Sequence, residues 1–276
     1  MKNLQPIFKW SLLGIFLLGL LLTVWLFFEQ QYDKRRHDPQ YDIIALLQSS
    51  EGKESLKTAF LAELLNLSLD LPTNIFQYDA KQGEKALQAC PLIKKAHIDK
   101  ILPATLYIQY EMRTPIAFIG DFHNAAIDDE GILIPFTPFY TPKNIPIFYL
   151  GSSMESLNWG DSIQDLPALC LAKNIYSALL KAHLPGVRIQ AMDLVDAFSE
   201  QRGRRQVILR LYAKPSDILT SRQEQGFLLR WDPENYAQCL QNLLTLQTNK
   251  ASLGAASTLT IIDQRLPQLA FIRREG

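Results

Sequence analysis

Reactive and ligand-gathering residues are scarce in this chain. Its 276 residues include only three cysteines, Cys90, Cys170 and Cys239, an odd number set far apart, which excludes a disulfide scaffold. All three fall in segments patterned as helix or helix end, where a small buried apolar residue is the expected role. The four histidines, His37, His97, His123 and His183, stand alone; a zinc site needs three or four converging ligands, and no pair here has ligand spacing. There is no glycine-rich phosphate loop, no G-x-S-x-G turn and no cysteine in a nucleophile's context. No metal, cofactor or small-molecule substrate is therefore expected. Lysine plus arginine equal aspartate plus glutamate at 28 each, so charge gives no case for nucleic acid or an acidic partner. Internal repeats and low-complexity tracts are also lacking.

Long apolar runs are rare too, with one exception. Nineteen uncharged residues, Trp10 to Phe28, separate Lys9 from Glu29, and at about 1.5 Å of rise each they would span roughly the 30 Å of a bilayer core. The run ends in Trp25-Leu26-Phe27-Phe28-Glu29-Gln30 without the small residues of a cleavage site, so the expectation is an uncleaved transmembrane helix over 10–28. Lys2 and Lys9 on one side face Lys34, Arg35 and Arg36 on the other, and the positive-inside rule does not choose an orientation. Residues 29–40 are polar and read as a juxtamembrane linker.

Downstream, two segments differ in pattern. In the first, Asp42 to Leu47 predicts a strand, and Leu56, Phe60, Leu64 and Leu67 recur at helical spacing. Asp79 with Gln82 has the form of a capping box opening a second helix toward Ala89, weakened by Gly83 and ended by Pro91. Leu106, Ile108, Tyr110 and Met112 alternate with polar residues, the period of a strand with one buried face. Ala96 to Leu102 pairs with it as a hairpin through Pro103-Ala104-Thr105. Arg113-Thr114-Pro115 breaks that ladder, because proline donates no hydrogen bond.

The second segment alternates short strands and turns: Ile116 to Ile119, Ala125 to Asp128, Ile132 to Phe136 and Ile147 to Leu150. Asp128-Asp129-Glu130 before Gly131 reads as a turn whose carboxylates bond nearby amides, with calcium binding as the alternative. Asp165 and Pro167 stand where a cap and first-turn proline belong, opening a helix that buries Leu169, Ala172, Ile175, Leu179 and Leu180. Strands at Val187 to Leu194 and Gln206 to Tyr212 flank the basic turn Arg202-Gly203-Arg204-Arg205. Phe227 to Arg230 is a further strand. Asp232-Pro233-Glu234 opens a helix with Tyr236, Leu240, Leu243 and Gln247 on one side, and Thr258 to Ile262 and Leu269 to Arg273 close the chain as strands.

Several of these residues carry a resemblance. Asn74-Ile75-Phe76 followed by Asp79, Leu87, Pro91, Ala96 and Ile98, then Pro103-Ala104-Thr105-Leu106, Glu111-Met112-Arg113-Thr114-Pro115-Ile116-Ala117 and Ile127-Asp128-Asp129-Glu130-Gly131 resemble the bacterial cell-division FtsQ/DivIB family. Ile262-Asp263-Gln264-Arg265 and Leu269 to Arg273 resemble that family's closing strands. Gln264 departs from the pattern, standing where an apolar residue is usual. The resemblance covers nearly the whole chain, strongest from Asn74 to Gly151 and weakest from Ser199 to Gln225.

The resemblance implies an α+β chain: a cytoplasmic tail over 1–9, a transmembrane helix over 10–28, a linker over 29–40, a small POTRA domain (β-α-α-β-β) over 41–114, and a β-rich domain with flanking helices over 115–276. It implies a single-pass inner-membrane protein with its bulk in the periplasm. Its implied work is non-enzymatic: scaffolding septal assembly by binding other single-pass division proteins, FtsB and FtsL, and further divisome members. The final strand is the implied partner edge, with Arg265, Leu269, Ala270, Phe271 and Ile272 as candidate contacts, arginine and aromatics being common interface anchors. By pattern alone, Leu269 to Ile272 could equally finish the core. Two alternatives are a POTRA-bearing secretion or envelope-assembly component, which the lack of a long series of membrane strands disfavours, and a membrane-anchored envelope enzyme.

Overall fold

A computed structural model describes residues 4–52, 54–68, 70–151, 157–184, 186–213, 225–248, 259–266 and 269–275, with side chains in the first helix described from Phe16 onward. Two compact units result, Met1–Met112 and Arg113–Gly276.

The first unit opens with helix α1 (Leu4–Arg36), 33 residues long and so about 50 Å in extent. Its described apolar side chains, from Phe16 to Phe28, are exposed. Among the described residues no helix is long and apolar enough to cross a membrane. The expected span over 10–28 lies partly outside them, because the side chains of residues 10–15 are not described. Residues Glu29 to Arg36, expected as linker, are helical and form the end of α1.

All four carbonyls at that helix end are paired, although a helix offers them no partners of its own. The His37 amide donates to the Lys34 carbonyl at 3.2 Å, and His37 Nδ1, when it carries the ring proton, donates to Asp33 at 3.0 Å. Asn74 Nδ2 donates to the Arg35 carbonyl at 3.0 Å, and Gln77 Nε2 donates to that of Arg36 at 2.8 Å.

Strand β1 (Ala45–Ser50) follows, then α2 (Thr58–Leu64), α3 (Ala80–Gln88), β2 (Ile93–Ile101) and β3 (Thr105–Met112). The sheet order is β1-β3-β2, with β1 parallel and β2 antiparallel to β3. Leu106, Ile108, Tyr110 and Met112 are all buried, as their alternation predicts. β1 starts later than the Asp42 expected. Asp42 instead makes an isolated bridge with Asn74, and the ladder to β3 begins at Ala45 opposite Thr105.

In α2 the buried stripe is Leu56, Leu61 and Leu65, while Phe60, Leu64 and Leu67 are only half-buried. The helix stops early because Asn66, at φ 53°, adopts the left-handed conformation that closes helix ends. Asp79 caps α3, accepting from the Lys81 and Gln82 amides at 2.9 and 3.2 Å. Gly83 is there for space: a Cβ would stand 2.2 Å from the Tyr78 hydroxyl.

Helix α3 also seals the outer edge of β2. Glu84 Oε1 accepts from the Ile98 amide at 3.0 Å, and Gln88 Nε2 donates to the Ala96 carbonyl at 3.3 Å. The Ile98 amide, against some burial and with help from His97, holds the Glu84 carboxyl below its ordinary value. Linkage fixes the sign: this contribution is present at neutral pH and is lost as pH falls through the lowered value.

The second unit is built on one mixed sheet. Its elements are β4 (Pro115–Ile119), β5 (Ala125–Asp128), β6 (Leu133–Pro135), β7 (Ile147–Tyr149), α4 (Pro167–Lys181), β8 (Val187–Asp193), a 3-10 turn (Arg202–Arg204), β9 (Val207–Ala213), β10 (Gln225–Trp231), α5 (Tyr236–Thr248), β11 (Leu259–Asp263) and β12 (Phe271–Glu275). The strand order is β12-β11-β10-β9-β8-β7-β4-β5-β6. β7 and β8 are parallel neighbours joined through α4, and β10 and β11 are parallel neighbours joined through α5. Parallel neighbours need such crossovers. Leu169, Ala172, Ile175 and Leu179 of α4 and Cys239 and Leu243 of α5 share one core with Phe148, Met192, Leu209, Trp231 and Ile262 of the sheet.

Four expectations need correction here. Leu166, not Asp165, occupies the N-cap of α4, and its side chain makes no capping bond. Leu180 is exposed, and so is Cys170, one position beyond buried Leu169 and therefore about 100° round the helix. The closing strand runs Phe271–Glu275 rather than from Leu269, since the Leu269 amide turns back to the Leu266 carbonyl at 3.3 Å. In addition, Gln264, which departs from the resembled pattern, is buried despite being polar, and its Oε1 accepts from the Trp231 indole N–H at 2.7 Å.

The hairpin of β5 and β6 holds a buried ion pair. Asp128 is fully buried and accepts from Arg113 Nη1 at 2.7 Å and from the Glu130 and Ile132 amides at 3.0 and 2.8 Å. Those two amide bonds are the turn chemistry that the acidic cluster predicts. Arg113 also reaches Glu130 at 2.7 Å, and its own carbonyl accepts from the Tyr140 hydroxyl at 2.8 Å.

Candidate functional site

Among the described residues strand β12 pairs with β11 alone, as the terminal strand of the order. A terminal strand leaves half of its backbone donors and acceptors without a ladder partner, which is the chemistry of strand addition. Its register fixes which side chain goes where. Ile272 stands opposite Ile262, whose side chain is in the core, and Phe271 stands opposite Asp263 on the other face. Even so, Phe271 is 59% exposed and Ile272 37%. Neither face of this strand is covered as a core strand would be.

The five residues expected at the partner edge separate into groups. Phe271 and Arg265 line one groove of about 520 Å³, together with Arg202, Arg205, Glu234 and Asp263. Ile272 faces the opposite side of the sheet. Leu269 and Ala270 precede the strand and are exposed. Pro267, a residue type that interrupts a strand ladder, lies outside the described residues.

Arg265 is not extended toward solvent. Its Nε donates to Asp263 Oδ1 at 3.0 Å and its Nη2 to Oδ2 at 2.8 Å, a two-pronged clasp that suits a planar guanidinium. Arg230 approaches the same carboxylate at 3.4 Å. Burial alone would raise the Asp263 carboxyl, but hydrogen bonds and charge from Arg265, with the charge of Arg230, outweigh it and leave it lowered. Nearby, Arg205 Nε donates to the Ser199 carbonyl at 2.8 Å and Nη1 pairs with Glu234 at 2.9 Å. The basic turn is thus stapled to the start of α5 through Arg205 and forms a wall of this groove, with Arg202, Gly203 and Arg204 exposed.

Sequence reasoning missed Asp263, Arg230 and Glu234 as parts of this surface. One signal was present: Asp263 and Arg265 are two apart, a spacing that puts side chains on one side of an extended chain. The other pairings join positions distant in sequence and carry no local mark.

This surface combines exposed apolar side chains, a terminal strand and clasped charges. No curated protein matches this chain. Residues 51–110 match the family model described as POTRA domain, FtsQ-type, a domain kind that mediates protein–protein interaction and works in division. The chain carries an FtsQ-type POTRA domain, consistent with a protein of the FtsQ/DivIB family.

Proposed function

We propose that this protein is a non-enzymatic, single-pass scaffold of the division septum that gathers other membrane division proteins. The observation that carries the reading is the β12 edge, where Phe271 and Ile272 stay exposed on a terminal strand and Leu269 is exposed just before it. An extended segment of a partner would add to that edge, drawing affinity from main-chain bonds and register from alternate side chains. Proteins of the FtsB and FtsL type are the partners this reading assigns to the edge, and further divisome members meet the POTRA domain and α1.

In this reading α1 is the inner-membrane anchor, with residues 1–9 cytoplasmic and the rest periplasmic. Its exposed apolar surface from Phe16 to Phe28 supports that placement, since such continuous exposure is unfavourable in water. Protease added to spheroplasts is expected to leave only a short N-terminal tagged fragment. Full protection of the chain would reverse the topology.

The partner edge is tested by Phe271→Glu, which puts a charge into the strand-addition surface at an exposed position. Capture of an FtsB-type partner from cells expressing the full chain is expected to fall at least about tenfold, the scale of one lost aromatic anchor. The thermal midpoint should stay within about 2 °C, as for most surface changes. Unchanged capture by the folded variant would refute the edge, and loss of folding would place Phe271 in the core.

A further inference from the structure

The Asn74-Ile75-Phe76 motif has its clearest role at the end of α1. We infer that Asn74 and Gln77 act as the C-terminal cap of α1 and lock that helix to the POTRA domain as one rigid body. The inference concerns the first unit alone; the membrane reading enters only in its consequence.

Helix ends rarely find this many partners. Of the four terminal carbonyls, the two innermost are served by His37 and the two outermost, of Arg35 and Arg36, by side chains about 40 residues later in the chain. Asn74 is only 6% exposed and uses every polar atom: Nδ2 donates to the Arg35 and Asp38 carbonyls at 3.0 and 3.2 Å, and Oδ1 accepts from the Phe76 amide at 2.9 Å. The backbone joins in, with Ile75 N–H donating to Tyr41 at 2.8 Å and Ile43 N–H to Thr73 at 3.0 Å. Phe76 sits between Tyr32 of α1 and Tyr41, at centroid distances of 5.6 and 5.0 Å, both edge to face. The Arg36 guanidinium lies over the Tyr32 ring, 4.8 Å from its centroid.

These contacts fix rotation as well as position. Two carbonyl caps a residue apart cannot both be kept if the helix turns about its axis, because successive carbonyls are displaced by about 100°. The aromatic contact closes a third point. A second apolar helix packing on one side of α1 would therefore also set which way the POTRA domain faces. A flexible connector would transmit neither direction nor pull.

The test uses the full chain in lipid nanodiscs with Cys170→Ser and spin labels at Gln31→Cys on α1 and Gln109→Cys on β3, both exposed positions. A single narrow distance is expected. Asn74→Asp with Gln77→Glu keeps the acceptor for Phe76 but removes the side-chain donors to the Arg35 and Arg36 carbonyls and puts carboxylates at the negative end of the helix. That pair should broaden the distance distribution and speed amide exchange over residues 33–41 by roughly ten- to a hundredfold, with protection in β2 and β3 unchanged. Should the pair unfold, Gln77→Glu alone, at an exposed site, must still accelerate exchange there. A broad distance in the parent, or variants with parental width and exchange, would overturn the cap. Failure of the unlabelled chain to float with lipid vesicles would instead refute the membrane reading and leave the joint to these two readouts.

Discussion

Asp128→Ala is expected to lower the stability of the second unit by about 3–5 kcal/mol, enough to abolish cooperative folding in a marginal domain. The carboxylate is fully buried and faces Arg113 at 2.7 Å, and Arg113 is itself only 15% exposed. Removing the acid leaves a largely buried guanidinium with Glu130, whose side chain is 47% exposed and so a weak, screened partner. Two amides, of Glu130 and Ile132, lose their acceptor at the same time. Asp128→Asn keeps an acceptor for those amides and loses only the charge, so it should cost less, about 1–3 kcal/mol. Urea unfolding of the detergent-solubilised full chain, followed by near-ultraviolet circular dichroism, separates the two. A cost below about 1 kcal/mol for Asp128→Ala would show that the pair is dispensable.

Trp231→Phe is expected to cost about 2–4 kcal/mol, and adding Gln264→Leu should return about 1–3 kcal/mol of it. Trp231 is fully buried, and its indole N–H is held by Gln264 Oε1 at 2.7 Å. Gln264 Nε2 is buried without a hydrogen-bond partner, so the indole is what keeps this amide from being orphaned at both ends. With phenylalanine the amide loses that bond and a void opens beside it. Leucine at 264 removes the polar group altogether. Gln264→Leu alone should cost less than Trp231→Phe, because stranding the indole is offset by removing the unpaired amide nitrogen. A double variant no more stable than Trp231→Phe would show that the two residues are not coupled.

That pairing explains why Gln264, which departs from the pattern the chain resembles, was hard to place from sequence. Its partner lies on another strand, and polarity is a local signal only for solvent. β3 was legible for the opposite reason: Leu106, Ile108, Tyr110 and Met112 bury one face, and alternation records that directly. Cys170 could have been placed outward by laying it on the helical wheel of Leu169, Ala172, Ile175 and Leu179, whereas Leu180, eleven residues from Leu169 and so about 20° from it on the wheel, could not. Asp128 could not, because a carboxylate before glycine is the mark of a turn, and nothing local says that Arg113 will reach across and bury it. The order of strands in the second unit was likewise hidden. β10 and β11 sit side by side and parallel, a pairing that follows from how α5 packs and not from either strand's own pattern. At the candidate edge, exposure of Phe271 and Ile272 was open on pattern alone, because an apolar run serves a core and a binding edge equally well.

The parallel position of β1 also sets a timetable. Among the described residues its partner in the sheet is β3, and β1 ends at Ser50 while β3 begins at Thr105. At roughly 5–20 residues per second of synthesis, the intervening chain takes about 3–10 s to appear. During that interval β1 has no ladder, while the β2–β3 hairpin, contiguous in sequence, forms as soon as it emerges. An anchor inserted early would thus hold an unfinished domain at the membrane surface, with β1 as the last piece to be zipped in and the one most exposed to a passing protease or chaperone.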